Sequence, residues 1–289
     1  MTNILKKKSF ITDIGEKIYY FDSIDTKDST ILFIHDFMRS SAMFSKITKE
    51  LLNYNRVVAF DLPGHGKNHK ITSSTLEKSS EIINSLIKKL SLQNLSIISY
   101  GIGTLVLFQY IKDFGVCHLS NCMIIDSTPK YLNDNLWRNG LYRGNYTEKE
   151  FNYDKNYIAN NSSKFLTVYL SQALPQYSCD VNFQDEPSLL FRFLGRLLYK
   201  KNAASLWNSI INSDFRSLLP TLTLPITIVY ASPGSLLNEH AAFYMNNNLC
   251  NSTLHSINHT SHNSLCYKSN ELINIINNFT SNNIIPIKA

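Results

Sequence analysis

Short apolar runs alternate along this chain with amphipathic helical patterns, and that alternation is the strongest constraint on what it can fold into. Ile31–His35 (ILFIH) is a continuous apolar run, the mark of a strand buried on both faces. Arg56–Asp61 (RVVAFD), Leu95–Tyr100 (LSIISY), Met123–Asp126 (MIID), Ile226–Tyr230 (ITIVY) and Ser252–Ile257 (STLHSI) continue the series. Lys17–Phe21 (KIYYF) alternates loosely and reads as an edge strand. Helical patterns fall between them, at Ser41–Leu52, Ser73–Leu90, Gly103–Phe114, Leu237–Asn246 and Ser269–Phe279. In the second of these, Leu76, Ile82, Ile83, Leu86, Ile87 and Leu90 share one face and lysines lie elsewhere. Strands that alternate with helices predict an α/β fold, with a mainly parallel central sheet covered by helices on both faces.

The alternation breaks between about Ser127 and Leu219. That stretch is rich in aromatics (Tyr131, Trp137, Tyr142, Tyr146, Phe151, Tyr153, Tyr157) and has helix-like segments at Ser163–Leu174 and Ser188–Tyr199. It reads as a helical insertion, either a lid over a pocket or a packed elaboration without a role. The expected organisation is a core formed by residues 1–126 and 220–289, with a helical cap at 127–219.

Composition narrows the function classes. Apolar residues make up 44% of the 289-residue chain, enough for a large core, and charged residues only 17%, which argues against disorder. The net charge of +6 is spread over short runs (Lys6-Lys7-Lys8, Lys88-Lys89, Lys200-Lys201) outside any nucleic-acid motif, so no nucleic-acid partner is expected. The five cysteines (117, 122, 179, 250, 266) form no CxxC pair and read as reduced, buried thiols of a cytoplasmic protein. Met1–Phe10 is basic without a following apolar core, so no signal peptide is expected, and the apolar runs are too short to span a membrane. The scattered histidines and cysteines do not fit a zinc site, and no glycine-rich phosphate loop occurs, so neither metal nor cofactor is expected.

Four elements, in order, carry a resemblance. They are Ile34-His35-Asp36-Phe37, Asp61-Leu62-Pro63-Gly64-His65-Gly66, the strand–turn–helix at Ser99–Gly103, and the late His262. Over nearly the whole chain they resemble the α/β-hydrolase superfamily, and the D-L-P-G-H-G segment after a buried strand is the most specific of them. The resemblance implies an α/β-hydrolase fold and places the nucleophile in a G-x-S-x-G elbow between strand and helix. Here the elbow reads Ser99-Tyr100-Gly101-Ile102-Gly103. Gly103 fits the last motif glycine, which lets the helix pack close to the strand. The nucleophile position is Gly101, which has no oxygen. Glycine relieves the strained elbow backbone, by about 1–3 kcal/mol, and would leave a small void there. If the elbow were displaced, Ser99 would be the hydroxyl, but it lies on the strand.

The family's acid usually follows the strand at Ile226–Tyr230. That turn is Ala231-Ser232-Pro233-Gly234-Ser235, with no acid before Asn238. Asp126 ends the preceding strand and is the alternative histidine-orienting acid, with a structural turn or cap as its other reading. His262 best matches the family histidine, and His259 is its rival. His35-Asp36 matches the His-Gly oxyanion loop with Asp in place of Gly, so Phe37 and Ile102 are the backbone oxyanion donors by position. An acidic side chain at 36 disfavours negative charge nearby.

These departures do not support ordinary acyl-serine chemistry, which would need a displaced elbow. Two other readings lead. One is an unconventional hydrolase or lyase acting on a small apolar ester, thioester or carbonyl compound, with His262 as base. The other is an inactive relative that binds a small ligand or a protein partner.

Overall fold

The computed structural model describes residues 5–24, 29–155, 158, 200–234, 236–262 and 269–281. Eight strands form one sheet: β1 (Lys6–Ile11), β2 (Lys17–Asp22), β3 (Thr30–Ile34), β4 (Arg56–Phe60), β5 (Leu95–Tyr100), β6 (Leu119–Ile125), β7 (Ile226–Pro233) and β8 (Ser252–Thr260). Their spatial order is β1-β2-β4-β3-β5-β6-β7-β8. β1 and β2 are antiparallel to each other, β2 is antiparallel to β4, and every pairing from β4 to β8 is parallel.

The helices include α1 (Ser45–Leu51), α2 (Leu76–Lys89), α3 (Gly103–Phe114), α4 (Lys200–Ile211), α5 (Glu239–Asn248) and α6 (Ser269–Ser281). The period of two in β3 assigns them to layers. Leu32 and Ile34 pack into one core with residues of α2, α3, α4 and α5, and Ile31 and Phe33 into a second core with residues of α1 and α6. Each buried Leu, Ile or Phe contributes about 1.5–3 kcal/mol by leaving water. α2 begins where Thr75 accepts from the Lys78 N–H at 3.1 Å and ends among Lys88 and Lys89, as helix capping and dipole favour. Its expected face is the buried one, with Leu90 only partly covered.

One strand escaped the sequence reading. Lys6-Lys7-Lys8, read as a charge run, begins β1, an edge strand with only Phe10 buried. A half-solvated edge needs no apolar run, so its signal is weak. The cysteine reading also needs correcting: Cys122 is buried, but Cys117 and Cys250 are exposed free thiols. Cys179, Cys266 and the helical segments expected at 163–174 and 188–199 lie outside the described residues. Between β6 and β7 no strand occurs among the described residues, and no helix among them is long and apolar enough to cross a membrane.

Candidate active site

Parallel strands deliver their C-terminal ends to one edge of the sheet, and the expected site residues gather there. β3 and β5 are neighbours, with Ile34 opposite Ser99, so the loops that follow them meet. Asp36 leaves one of these loops and Gly101 turns the other. β6 lies beside β5 and supplies Asp126, and His262 follows β8.

Gly101 adopts φ +52°, the left-handed conformation that residues with a β-carbon disfavour. Its N–H donates to the Ile125 carbonyl at 2.9 Å, and its carbonyl accepts from the Ser127 hydroxyl at 2.7 Å. The strand therefore bends into α3 here, as the elbow reading requires. A β-carbon on Gly103 would lie 2.6 Å from the Ile34 carbonyl oxygen, so that glycine is fixed by close helix–strand contact. Ser99 is buried, donates to the Met123 carbonyl at 3.1 Å and sits 3.0 Å from the Thr104 hydroxyl, turned away from the apex.

The void expected at Gly101 is filled. A β-carbon there would lie 2.0 Å from Asp36 Oδ1 and 2.6 Å from Asp36 Cγ. Asp36 thus extends its carboxylate across the apex into the space a nucleophile's side chain would take. Oδ1 accepts from the Ile102 N–H at 3.0 Å, and the Phe37 N–H also hydrogen-bonds this carboxyl. Both backbone donors assigned to the oxyanion hole therefore serve Asp36.

His262 joins the two carboxylates. Its Nε2 lies 2.9 Å from Asp36 Oδ2, and its Nδ1 lies 2.6 Å from Asp126 Oδ2. Asp126 is itself held by the Ala231 N–H, which donates to Oδ1 at 3.1 Å and leaves Oδ2 for the imidazole. The Tyr100 hydroxyl donates to the His262 carbonyl, and the two rings meet edge-on at 5.3 Å. His259 is exposed on β8, away from this chain of contacts. Asp36, Asp126 and His262 are 3%, 5% and 2% exposed, so the charges act on one another in a dry setting.

The electrostatics follow from those contacts. Burial alone would lower the His262 pKa, but the Asp36 charge and the hydrogen bond that the imidazole donates to Asp126 outweigh it and raise the imidazole to about 9. Burial pushes Asp36 up, yet the His262 imidazolium and the Ile102 and Phe37 N–H groups hold it below the usual carboxylate range. Both carboxylates therefore favour the charged imidazolium, a donor between two acceptors.

Two further histidines shape the loops without reaching the centre. His35 Nε2 accepts from the Leu62 N–H at 2.8 Å, and His65 Nε2 accepts from the Met38 N–H at 3.3 Å. Accepting nitrogens require neutral rings, and burial accordingly lowers both, His65 to about 4. In the D-L-P-G-H-G turn, Asp61 accepts from the Ser41 and Lys67 N–H groups, each at 2.7 Å. From α4, Trp207 packs its ring, tilted by 43°, at 4.9 Å from that of Phe37, the neighbour of Asp36, and donates to the Tyr146 hydroxyl at 2.9 Å. No group of three or more His, Cys, Asp or Glu among the described residues is placed to hold a metal ion.

An elbow between strand and helix, an imidazole after the last strand and backbone donors aimed at the elbow define the hydrolase class of α/β proteins. The chain belongs to the α/β-hydrolase fold family, which its sequence matches over residues 29–269. No curated protein matches the sequence. Among solved structures it is similar to a bromoperoxidase from Bacillus anthracis, at 17% identity and TM-score 0.80, over 95% of this chain and 99% of that one. It is also similar to an esterase from Exiguobacterium antarcticum (16% identity, TM-score 0.78, 96% and 100% covered). An enol-lactonase from Burkholderia xenovorans shares 12% identity and a TM-score of 0.72, with 96% of each chain covered.

Sequence reasoning singled out Gly101, Asp126, His262, Phe37 and Ile102, and the structure brings all of them together. It missed that Asp36 is a full member of the group.

Proposed function

We propose that this protein is an enzyme that converts a small apolar substrate at an Asp36–His262–Asp126 centre, without an acyl-serine. The observation that carries the reading is the Asp36 carboxylate at the apex, between the Ile102 N–H and His262 Nε2. Burying two carboxylates and an imidazolium is costly, and removing water from one such ion costs several kcal/mol even after relaxation. Chains keep such sets where they do chemistry, and perturbed ionisations cluster at functional sites. On this reading Asp126 orients the imidazole, Asp36 stands where the serine hydroxyl would be, and the Ile102 and Phe37 N–H groups hold negative charge. Residues 127–219 act as the cap, which the ring contact of Trp207 with Phe37 supports. The solved neighbours named as esterase and enol-lactonase make small esters, thioesters and lactones the first substrates to test. A small molecule is the expected partner, and the cytoplasm the expected location.

The test is turnover of p-nitrophenyl acetate, short acyl thioesters and small lactones by the native protein, Asp36→Asn and His262→Gln. Turnover by the native protein, reduced on the order of 10²-fold or more in both variants, supports the reading.

One observation favours a second reading, binding without turnover. In the resting state Asp36 already consumes both oxyanion donors, and the centre is almost closed to solvent. A native protein inert on every substrate class, yet raised in melting temperature by small apolar ligands, decides for this reading.

A further inference from the structure

We infer that the centre moves protons on carbon: Asp36 is the base and His262 the acid that carry a small uncharged ketone through its enol, so that a double bond migrates along the substrate. The inference deepens the proposed function and rests on it. Three placements carry it. Both ring nitrogens of His262 face carboxylate oxygens, Nδ1 at 2.6 Å from Asp126 Oδ2 and Nε2 at 2.9 Å from Asp36 Oδ2. Each such contact needs a proton on its line, so Asp36, His262 and Asp126 hold two protons among them. The proton at Nε2 is the one at the apex, and an acid and a base stand there side by side. Ile102 N–H holds Asp36 Oδ1 at 3.0 Å, which leaves Oδ2 as the oxygen that takes up a proton. Finally, the Phe37 and Ile102 N–H groups are both spent on Asp36, and all three side chains are buried.

These placements select the reaction. Hydrolysis draws on free donors for the oxyanion of a tetrahedral adduct, and here those donors serve Asp36. Passing protons between carbon and oxygen needs neither a free oxyanion hole nor a water. In the first step the ketone oxygen takes the Nε2 proton of His262, and Asp36 Oδ2 takes a proton from the α-carbon. The electron pair of that C–H bond becomes a carbon–carbon double bond, and the carbonyl π pair passes to oxygen. Enol, Asp36 and His262 are then all uncharged. Burial pushes Asp36 up, and the His262 charge is what chiefly holds it low. As the imidazolium gives up its proton that charge goes, so Asp36 grows more basic as it accepts. In the second step Asp36 returns its proton to the γ-carbon of the dienol, the double bonds shift, the carbonyl re-forms, and the enol proton goes back to Nε2. The sum is a β,γ-unsaturated ketone giving its α,β-unsaturated isomer, with Asp36 and His262 restored. An uncharged substrate suits the site, because an ion would lose its water on entering it.

The experiment uses cyclohex-3-enone with the intact chain and follows cyclohex-2-enone by proton NMR. The native protein is expected to form it faster than buffer does, and deuterium on the α-carbon is expected to slow that rate severalfold. Asp36→Asn and His262→Gln are each expected to lose on the order of 10²-fold or more. Asp36→Glu keeps the charge beside His262 but moves the carboxylate along its longer side chain, so it serves if Asp36→Asn fails to fold, and it too is expected to be slower. Isomerisation no faster than in buffer overturns the inference, as does an undiminished rate in a folded variant of Asp36. Hydrolysis of esters, thioesters or lactones without isomerisation overturns it but leaves the proposed function standing. Inertness to the enone and to all of those substrates removes both.

Discussion

Asp36 and Gly101 are fitted to each other: the carboxylate of one occupies the space that any side chain on the other would need, with 2.0 Å between Asp36 Oδ1 and the β-carbon position. The acid leaves the loop after β3 and the glycine turns the loop after β5, and any side chain at 101 would require the acid to move.

Placing a serine at the apex is expected to require changes at both positions. Gly101→Ser alone places a β-carbon on the Asp36 carboxylate and forces a non-glycine residue to φ +52°. We expect it to lose about 1–3 kcal/mol in urea denaturation and to gain no esterase activity. Asp36→Gly with Gly101→Ser frees the Ile102 N–H and sets a hydroxyl beside His262. That double variant is expected to hydrolyse p-nitrophenyl acetate on the order of a hundredfold faster than the native protein.

Breaking the buried ion set from one side leaves a charge uncompensated. Asp126→Ala or His262→Ala is expected to cost about 3–5 kcal/mol, measured by chemical denaturation. Asp36→Asn, which preserves shape and one acceptor, is expected to cost less than either.

Stability should depend on pH at both ends. The His262 pKa is raised from 6.5 to about 9, so its contribution is complete below 6.5 and is lost as pH climbs through 9. The Asp36 pKa is depressed below 3.8, so its contribution is present above that value and is lost as pH falls through the lower, folded one. Thermal unfolding is therefore expected to show falling stability between pH 6.5 and 9, and His262→Gln is expected to flatten that decline.

Gly103→Ala tests the junction of helix and strand. The new methyl would meet the Ile34 and His35 carbonyl oxygens at 2.6 and 2.8 Å, and backbone atoms cannot swing aside. A loss of about 1–3 kcal/mol in unfolding free energy is expected.

The central strands were legible because burial on both faces writes continuous apolar runs such as Ile31–Ile34. β1 was not, because a strand solvated along one margin tolerates three lysines in its first half. The elbow, His262 and Asp126 were legible from order and spacing. The meaning of Asp36 was not, because it depends on a side chain crossing from one loop to the next. A signal was present nonetheless. Loops after adjacent parallel strands touch, and an acid at 36 facing a glycine at 101 is what a shared space demands.

The lysine-fringed margin at β1 bears on how copies of this chain meet. An unpaired row of amides and carbonyls invites a second sheet to dock alongside it. Two such margins brought together would crowd the lysines of both copies along one seam, and their repulsion would oppose the pairing. In concentrated solution that border is guarded, and screening it with salt should be the quickest way to make the protein self-associate.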